Sequence, residues 1–245
     1  MHIVNVPVEN APGWLLAIDT SSELLGVAVT NGTATAELVW PAGRHQTTVL
    51  LPAIESVLRR MGLVIADLSA VAVAVGPGTF NGLRAGLGTA KGLALGGGLP
   101  LIGVGTLAAT VMPVLVPGRL AIGVVAAGRG RVVSAVHAMS GGAGARPVEV
   151  GPPANGSIED LARRLADLTG PLTLVGEIDD AQLAVIAPAV AGTDLWVPPA
   201  PARGRRPGGV AAIGYQRWVA GDSDDPDTLD AVYLHGAARS ATVPG

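Results

Sequence analysis

The sequence has no cysteine, few aromatic residues (3%) and few charged ones (14%) among its 245 positions. The lack of cysteine excludes a disulfide framework, a thiolate metal site and a cysteine nucleophile together. Any metal would have to be held by His, Asp or Glu. The four histidines offer no pair: the position four after His45 is Val49, and His2, His137 and His235 lie in unrelated segments. No Gly-x-Ser-x-Gly elbow is present either. Net charge is −3, with no block of Lys or Arg to mark a strong nucleic-acid binder. Between Lys91 and Arg119 no residue is charged, but Gly96-Gly97-Gly98, Pro100 and Pro113 cut that stretch into pieces too short to span a bilayer. Met1 to Gly13 has neither the basic start nor the apolar run of a signal peptide. The expected location is the cytoplasm, away from membranes.

What is present is aliphatic. Hydrophobic residues make up 49% of the chain and glycine contributes 35 positions, so the expected core is small side chains with backbones in close approach. The length allows one large domain or two lobes of roughly 100 residues. Trp14 to Ile18 reads as a buried strand ending at Asp19, and Leu24 to Thr30 as a second. Asn31-Gly32 predicts a two-residue hairpin turn into a third strand, Thr33 to Trp40. Leu50, Ile54, Val57, Leu58 and Met61 recur at helical spacing, with Arg59 and Arg60 at the dipole's negative end and Gly62 as the stop. Val71 to Val75 is a short β-branched run, and a helix over 82–96 follows a glycine-rich loop.

The second half repeats this order: strands over 120–126, 132–139 and 147–150, and a helix after Ser157 and Asp160, a capping-box pair. A strand over 172–176, a helix over 180–190, a short strand over 195–197 and a last helix over 209–219 complete it. The expected fold class is α/β, a duplicated β-β-β-α-β-α unit of the two-lobed actin/Hsp70-like (ASKHA) kind. The lobes are drawn at 14–108 and 109–220, with an acidic linker and tail over 221–245.

Three features bear on chemistry. Asp19-Thr20-Ser21-Ser22 ends an apolar strand with an acid and three hydroxyls. In an actin-like lobe such a turn approaches phosphate while the acid orients metal-bound water; the plainer reading is a hydrogen-bonded Asx or Ser turn. Gly76-Pro77-Gly78-Thr79-Phe80-Asn81-Gly82-Leu83-Arg84 joins a strand to a helix whose N-terminus offers free N–H groups. It fits neither the P-loop nor the dinucleotide fingerprint. The candidate nucleotide-contacting residues are therefore Asp19, Thr20, Ser21, Gly76, Gly78 and Thr79. Where the second half should mirror Asp19 it reads Ala126-Ala127-Gly128-Arg129, with no acid, so weak or absent hydrolysis is expected. Finally, the helix over 82–96 carries so many Gly and Ala that it must recover stability by close packing, on the sheet or on a partner helix.

Leu16 to Ser21, His45 to Ile54, and above all Val75 to Arg84 with Ala90 to Ala94 resemble the TsaB (YeaZ) family, whose members are smaller paralogues of TsaD in threonylcarbamoyladenosine synthesis. Tyr233-Leu234 is similar to the family's terminal pair. The resemblance implies a non-catalytic, bilobed subunit that pairs with TsaD through the two helices of the first lobe. Leu50, Ile54, Leu58, Arg84, Gly86 and Ala90 are the expected interface. It also implies work alongside the ATPase TsaE, with tRNA met only through the complex. No cofactor or metal is required by this chain on that reading; ATP or ADP with Mg at low affinity, or at the heterodimer interface, stays open, as does a homodimer of the isolated chain. The chain departs from the family's pattern at Gln46-Thr47, where Ser-Glu is usual, and at Ala126-Ala127-Gly128, where Asp-Ala-Arg is usual. Two rivals from the enzyme class are a small-molecule kinase or ATPase using Asp19 and the 76–82 loop, and a peptidase, for which nucleophile and metal pair are both missing.

Overall fold

The computed structural model describes residues 13–141 and 144–233. Two sheets organise it. The first contains β1 (Trp14–Asp19), β2 (Leu24–Thr30), β3 (Thr35–Pro41), β4 (Leu68–Gly76) and β5 (Leu101–Gly105), in the order β3-β2-β1-β4-β5. The second contains β6 (Leu120–Ala126), β7 (Val132–Met139), β8 (Pro147–Glu149), β10 (Leu172–Gly176) and β11 (Leu195–Trp196), in the order β11-β10-β6-β7-β8, with β9 (Ala154–Gly156) pairing on β7. The two orders are the same: three antiparallel strands, then two added parallel to the first. This is the two-lobed actin/Hsp70-like architecture that the repeated element order predicts.

Strand alternation sorts the first core into two faces. Leu16 and Ile18 face α1 (Gln46–Arg60) and α2 (Phe80–Gly97), joining Leu50, Ile54, Leu58, Leu87 and Ala90. Leu15 and Ala17 face the other way with Ala28, Ala70, Ala72 and Ala74, against Val210, Ala211 and Ile213 of α7 (Pro207–Val219). The alanines bring α7 close: a Cβ at Gly214 would sit 2.5 Å from the Ala72 Cβ. This close approach is what a core poor in aromatics can provide.

The packing crosses the chain order. α7, from the second half, covers the first sheet. α3 (Thr106–Val111), from the first half, lies on the second sheet, with Leu107 against Val125, Val133 and Ala135 and Val111 against Ala121 and Val175. The helices α3 and α7 meet at Gly209, where a Cβ would overlap the Ala109 carbonyl oxygen. The boundary drawn between 108 and 109 therefore falls inside α3. The outer face of the second sheet is covered by α4 (Ile158–Ala166) and α5 (Asp180–Ile186), through Ile158, Leu161, Leu165 and Ile186.

Several expectations are corrected. Asn31-Gly32 is not a two-residue turn: Thr30 pairs with Thr35, leaving four residues in the loop. The Asn31 carboxamide accepts from the N–H groups of Thr33 and Ala34, and only Gly32 of the pair has positive φ, so an Asx turn replaces the type I′ turn. β5 and α3 were not anticipated. The helix expected over 180–190 breaks at Ala187, where Pro188 begins a 3-10 turn, Ala187–Val190. The loop over 198–207 contains the short α6 (Ala200–Arg203). The acidic linker is tied down rather than loose: Asp224 bridges to Leu101, its carboxylate accepts from the Gly103 N–H at 2.7 Å, and Arg217 ion-pairs with Asp222 and Asp224. Leu234, His2 and His235 lie outside the described residues. Among the described residues, no helix is long and apolar enough to cross a membrane.

Candidate functional site

The Asp19 turn and the glycine-rich loop meet, as the candidate nucleotide residues require, but their polar atoms bond to one another. The Asp19 carboxylate accepts from both the N–H (3.0 Å) and the hydroxyl of Ser21. The Thr20 hydroxyl donates to the Gly82 carbonyl at 2.7 Å, and the Thr79 N–H donates to the Ser21 carbonyl at 2.8 Å. Asp19, Thr20 and Ser21 are all at least 95% buried. The geometry is that of the hydrogen-bonded turn.

The glycines explain why this loop is so closely specified. A Cβ at Gly78 would overlap the Ser21 carbonyl, and one at Gly82 would overlap the Thr20 carbonyl. Gly76 has φ +117°, with the Val232 carbonyl where a Cβ would be, and the Val232 N–H donates to the Val75 carbonyl at 2.7 Å. The loop is thus pressed between the β1–β2 turn and the segment leading to the C-terminus. Phe80 stacks on Tyr233 (5.4 Å between centroids), with the Arg84 guanidinium 5.1 Å from the Phe80 ring centre. Two cavities flank the loop. One of about 370 Å³ is lined by Glu23, Gln46, Thr47, Thr79 and Asn81; the other, about 240 Å³, lies between Pro77, Phe80 and Tyr233 of this loop region and Ala126, Val133 and Asn155 of the second lobe.

The expected interface residues divide sharply. Leu50, Ile54, Leu58 and Ala90 are at most 2% exposed and belong to the first core, while Gly86 is buried with Thr20 where its side chain would be. These five are corrected to sheet-facing core residues, because the apolar stripe of a helix on a sheet faces that sheet. Only Arg84 of the six is exposed. The face that α1 and α2 present outward carries Thr48, Leu51, Pro52 and Glu55 on one helix and Gly88, Gly92 and Leu95 on the other. Leu51 is 51% exposed and Leu95 64%. A Cβ at Gly88 or Gly92 would meet no described atom within 4 Å.

Sequence reasoning missed three residues. Gln46, whose amide N–H donates to the Ser22 carbonyl, ties the start of α1 to the Asp19 turn. Glu177, just past β10, accepts from the Ala126 N–H at 2.8 Å and so places an acid beside the strand end that lacks one of its own. Arg205 is 6% exposed and joins the two halves, donating to the Ser21 hydroxyl at 2.6 Å and ion-pairing with Glu177 at 3.1 Å. The arginines of the 198–207 loop were the available signal, but partners 28 and 184 positions away carry no local pattern.

The family model that matches is that of TsaD, tRNA N6-adenosine threonylcarbamoyltransferase, over residues 40–144. The tRNA threonylcarbamoyladenosine biosynthesis protein TsaB of Escherichia coli is 45% identical over 94 residues, 38% of this chain and 40% of that protein. The match thus spans about two fifths of that relative's length. The Bacillus subtilis TsaB is 28% identical over 211 residues, 84% of this chain and 89% of that protein. Among solved structures, YeaZ from Pseudomonas aeruginosa superposes with a TM-score of 0.69 at 19% identity, covering 91% of this chain and 100% of that one. The ethanolamine utilization protein EutJ from Carboxydothermus hydrogenoformans gives 0.52 at 15% identity, covering 83% and 90%. At these identities the structural likeness bears on the fold alone.

Proposed function

We propose that this chain, whose sequence and fold are similar to TsaB/YeaZ proteins, is a non-catalytic subunit of that family for threonylcarbamoyladenosine synthesis, acting at the adenosine next to the anticodon of tRNAs that read codons beginning with A. It pairs with TsaD, and TsaE cycles the complex. tRNA is met through the complex, and this chain needs no cofactor of its own. The pairing surface is the outward face of α1 and α2.

The observation that carries this reading is that face. Its leucines are left half-exposed by the chain's own packing, and its glycines let a second helix come within backbone distance. The non-catalytic part is supported by the Asp19 turn, where one carboxylate oxygen, Oδ1, accepts from both the N–H and the hydroxyl of Ser21.

The test is co-purification with the cognate TsaD, wild type beside Gly92→Arg. Gly92 opens on free space, so the variant keeps its fold and its helix gains propensity. Wild type is expected to give a one-to-one complex, and the variant to weaken it by more than about tenfold, equivalent to about 1.4 kcal/mol, with no fall in Tm. Wild type failing to bind TsaD with or without nucleotide would refute the pairing; Mg-dependent turnover by the isolated chain, lost in Asp19→Asn, would then favour a kinase or ATPase.

A further inference from the structure

The loop over 198–207 carries three arginines within four positions, and each meets an acid. Arg203 pairs with Asp180 at 3.0 Å, at the start of α5 in the second lobe. Arg206 donates through Nε to Glu37 of β3, in the first lobe, at 2.6 Å, and the same carboxylate accepts from the Gly208 N–H at 3.1 Å, at the start of α7. Between them Arg205 touches both lobes at once. Nη1 donates to the Ser21 hydroxyl and Nη2 pairs with Glu177.

We infer that Arg205 is a latch that holds the two lobes at one fixed angle, with Ser21 and Glu177 as its two catches. Asp19 is a positioning residue in this device. Its carboxylate accepts a hydrogen bond from the Ser21 hydroxyl, which leaves the Ser21 oxygen lone pairs to accept from Arg205. Glu177 is set in turn: one oxygen is fixed on the Ala126 N–H, so the other is presented to the guanidinium. The chain of contacts therefore runs from the end of β1 to the end of β6, between equivalent strands of the two sheets.

Burial makes this an angular constraint more than a source of stability. The Arg205 side chain is 4% exposed, and its Nε has no partner among the described residues. A buried ion pair roughly breaks even against its desolvation, yet removing one partner is strongly unfavourable. Any opening that parts Ser21 from Glu177 must strand at least one of these groups. Lobes joined without such a device are expected to move relative to each other.

The absence of native cysteine makes the test direct. Arg59→Cys and Ala166→Cys, on exposed positions of α1 and α4, carry spin labels, and the inter-label distance distribution of the full chain is read by pulsed electron resonance. The unaltered background is expected to give one narrow distribution. Arg205→Met is expected to broaden it or add a longer-distance population, and Glu177→Gln to do the same to a lesser extent. Glu177 is 27% exposed, so its variant decides the matter if Arg205→Met does not fold. A distribution left narrow and unshifted in the folded variants would overturn the latch and reduce Arg205 to packing.

Discussion

Gly82→Ala is expected to lower stability by about 3 kcal/mol or more, while Gly88→Ala, less than two turns along the same helix, raises it by up to about 1 kcal/mol. The two substitutions add the same methyl group, and neither glycine has positive φ, so the difference in sign comes from what the methyl meets. At Gly82 it overlaps the Thr20 carbonyl oxygen and comes 2.6 Å from the Thr79 hydroxyl and 2.7 Å from the Gln46 carboxamide oxygen. The Thr20 carbonyl is backbone of a buried turn and cannot swing away, and the Thr20 hydroxyl is already bonded to the Gly82 carbonyl. Relief requires α2 to lift from the β1–β2 turn, which breaks that bond and the one from the Thr79 N–H to Ser21 together. At Gly88 the methyl meets no described atom, and replacing glycine in a helix interior removes conformational freedom from the unfolded chain. For a chain of this size 1 kcal/mol moves Tm by about 2–4 °C, so thermal unfolding should separate the variants by roughly 10 °C. Equal Tm values would mean that α2 does not press on the turn as described.

This pair also shows what a sequence can and cannot declare. Glycine at 76, 78 and 82 marks a loop under close approach, and that much follows from residue type. The surface approached does not: for Gly82 and Gly78 it is the backbone of Thr20 and Ser21, about sixty positions earlier, and for Gly76 it is the Val232 carbonyl, far along the chain in the other direction. The helical stripe Leu50, Ile54, Leu58 was equally plain as a stripe, and was wrongly turned outward because a partner was expected there. Periodicity reports that a face is apolar, and a helix lying on a sheet spends that face on the sheet. The faces left for a partner are read from the remainder, Gly88, Gly92, Leu51 and Leu95, of which only the two leucines are large and apolar.

The same limit explains the elements that were missed. From Leu99 to Val116 the chain is uncharged and, apart from Thr106 and Thr110, apolar, so the strand and helix within it have no alternation and little polar punctuation to mark their ends. Burial is why they look that way: Leu101 and Ile102 of β5 join the cores of the first sheet, and Leu107 and Val111 of α3 pack on the second. The crossing of α3 and α7 could not be seen in element order at all, since Gly209 meets Ala109 across a hundred residues. The topology within each sheet, by contrast, was readable from the order β-β-β-α-β-α, because local connections leave few alternatives.

His137 sets the second large effect, the dependence of stability on acid. The side chain lies on β7, 2% exposed, and its Nδ1 has no hydrogen-bond partner among the described residues. Burial lowers its pKa from 6.5 to about 4, against an opposing backbone hydrogen bond at Ala135. The folded protein therefore holds this imidazole neutral where the unfolded chain would protonate it. Between pH 6.5 and about 4 the unfolded state binds the extra proton, so the contribution is complete above pH 6.5 and is lost progressively as pH falls through that window; below about pH 4 both states are protonated and no further loss comes from this group. A shift of this size corresponds to about 3 kcal/mol. Denaturant unfolding at pH 7 and pH 4 should thus show wild type losing about 3 kcal/mol more than His137→Leu, which cannot take up the proton. The exposed acids whose pKa values lie below normal, Glu159 beside Ser157, Asp160 beside Ser157 and Arg163, and Asp222 beside Arg217, remain in both proteins and cancel in the comparison. Parallel stability curves for wild type and variant across this window would show that protonated His137 is accommodated in the folded state, by a shift of β7 that brings it water or an acceptor.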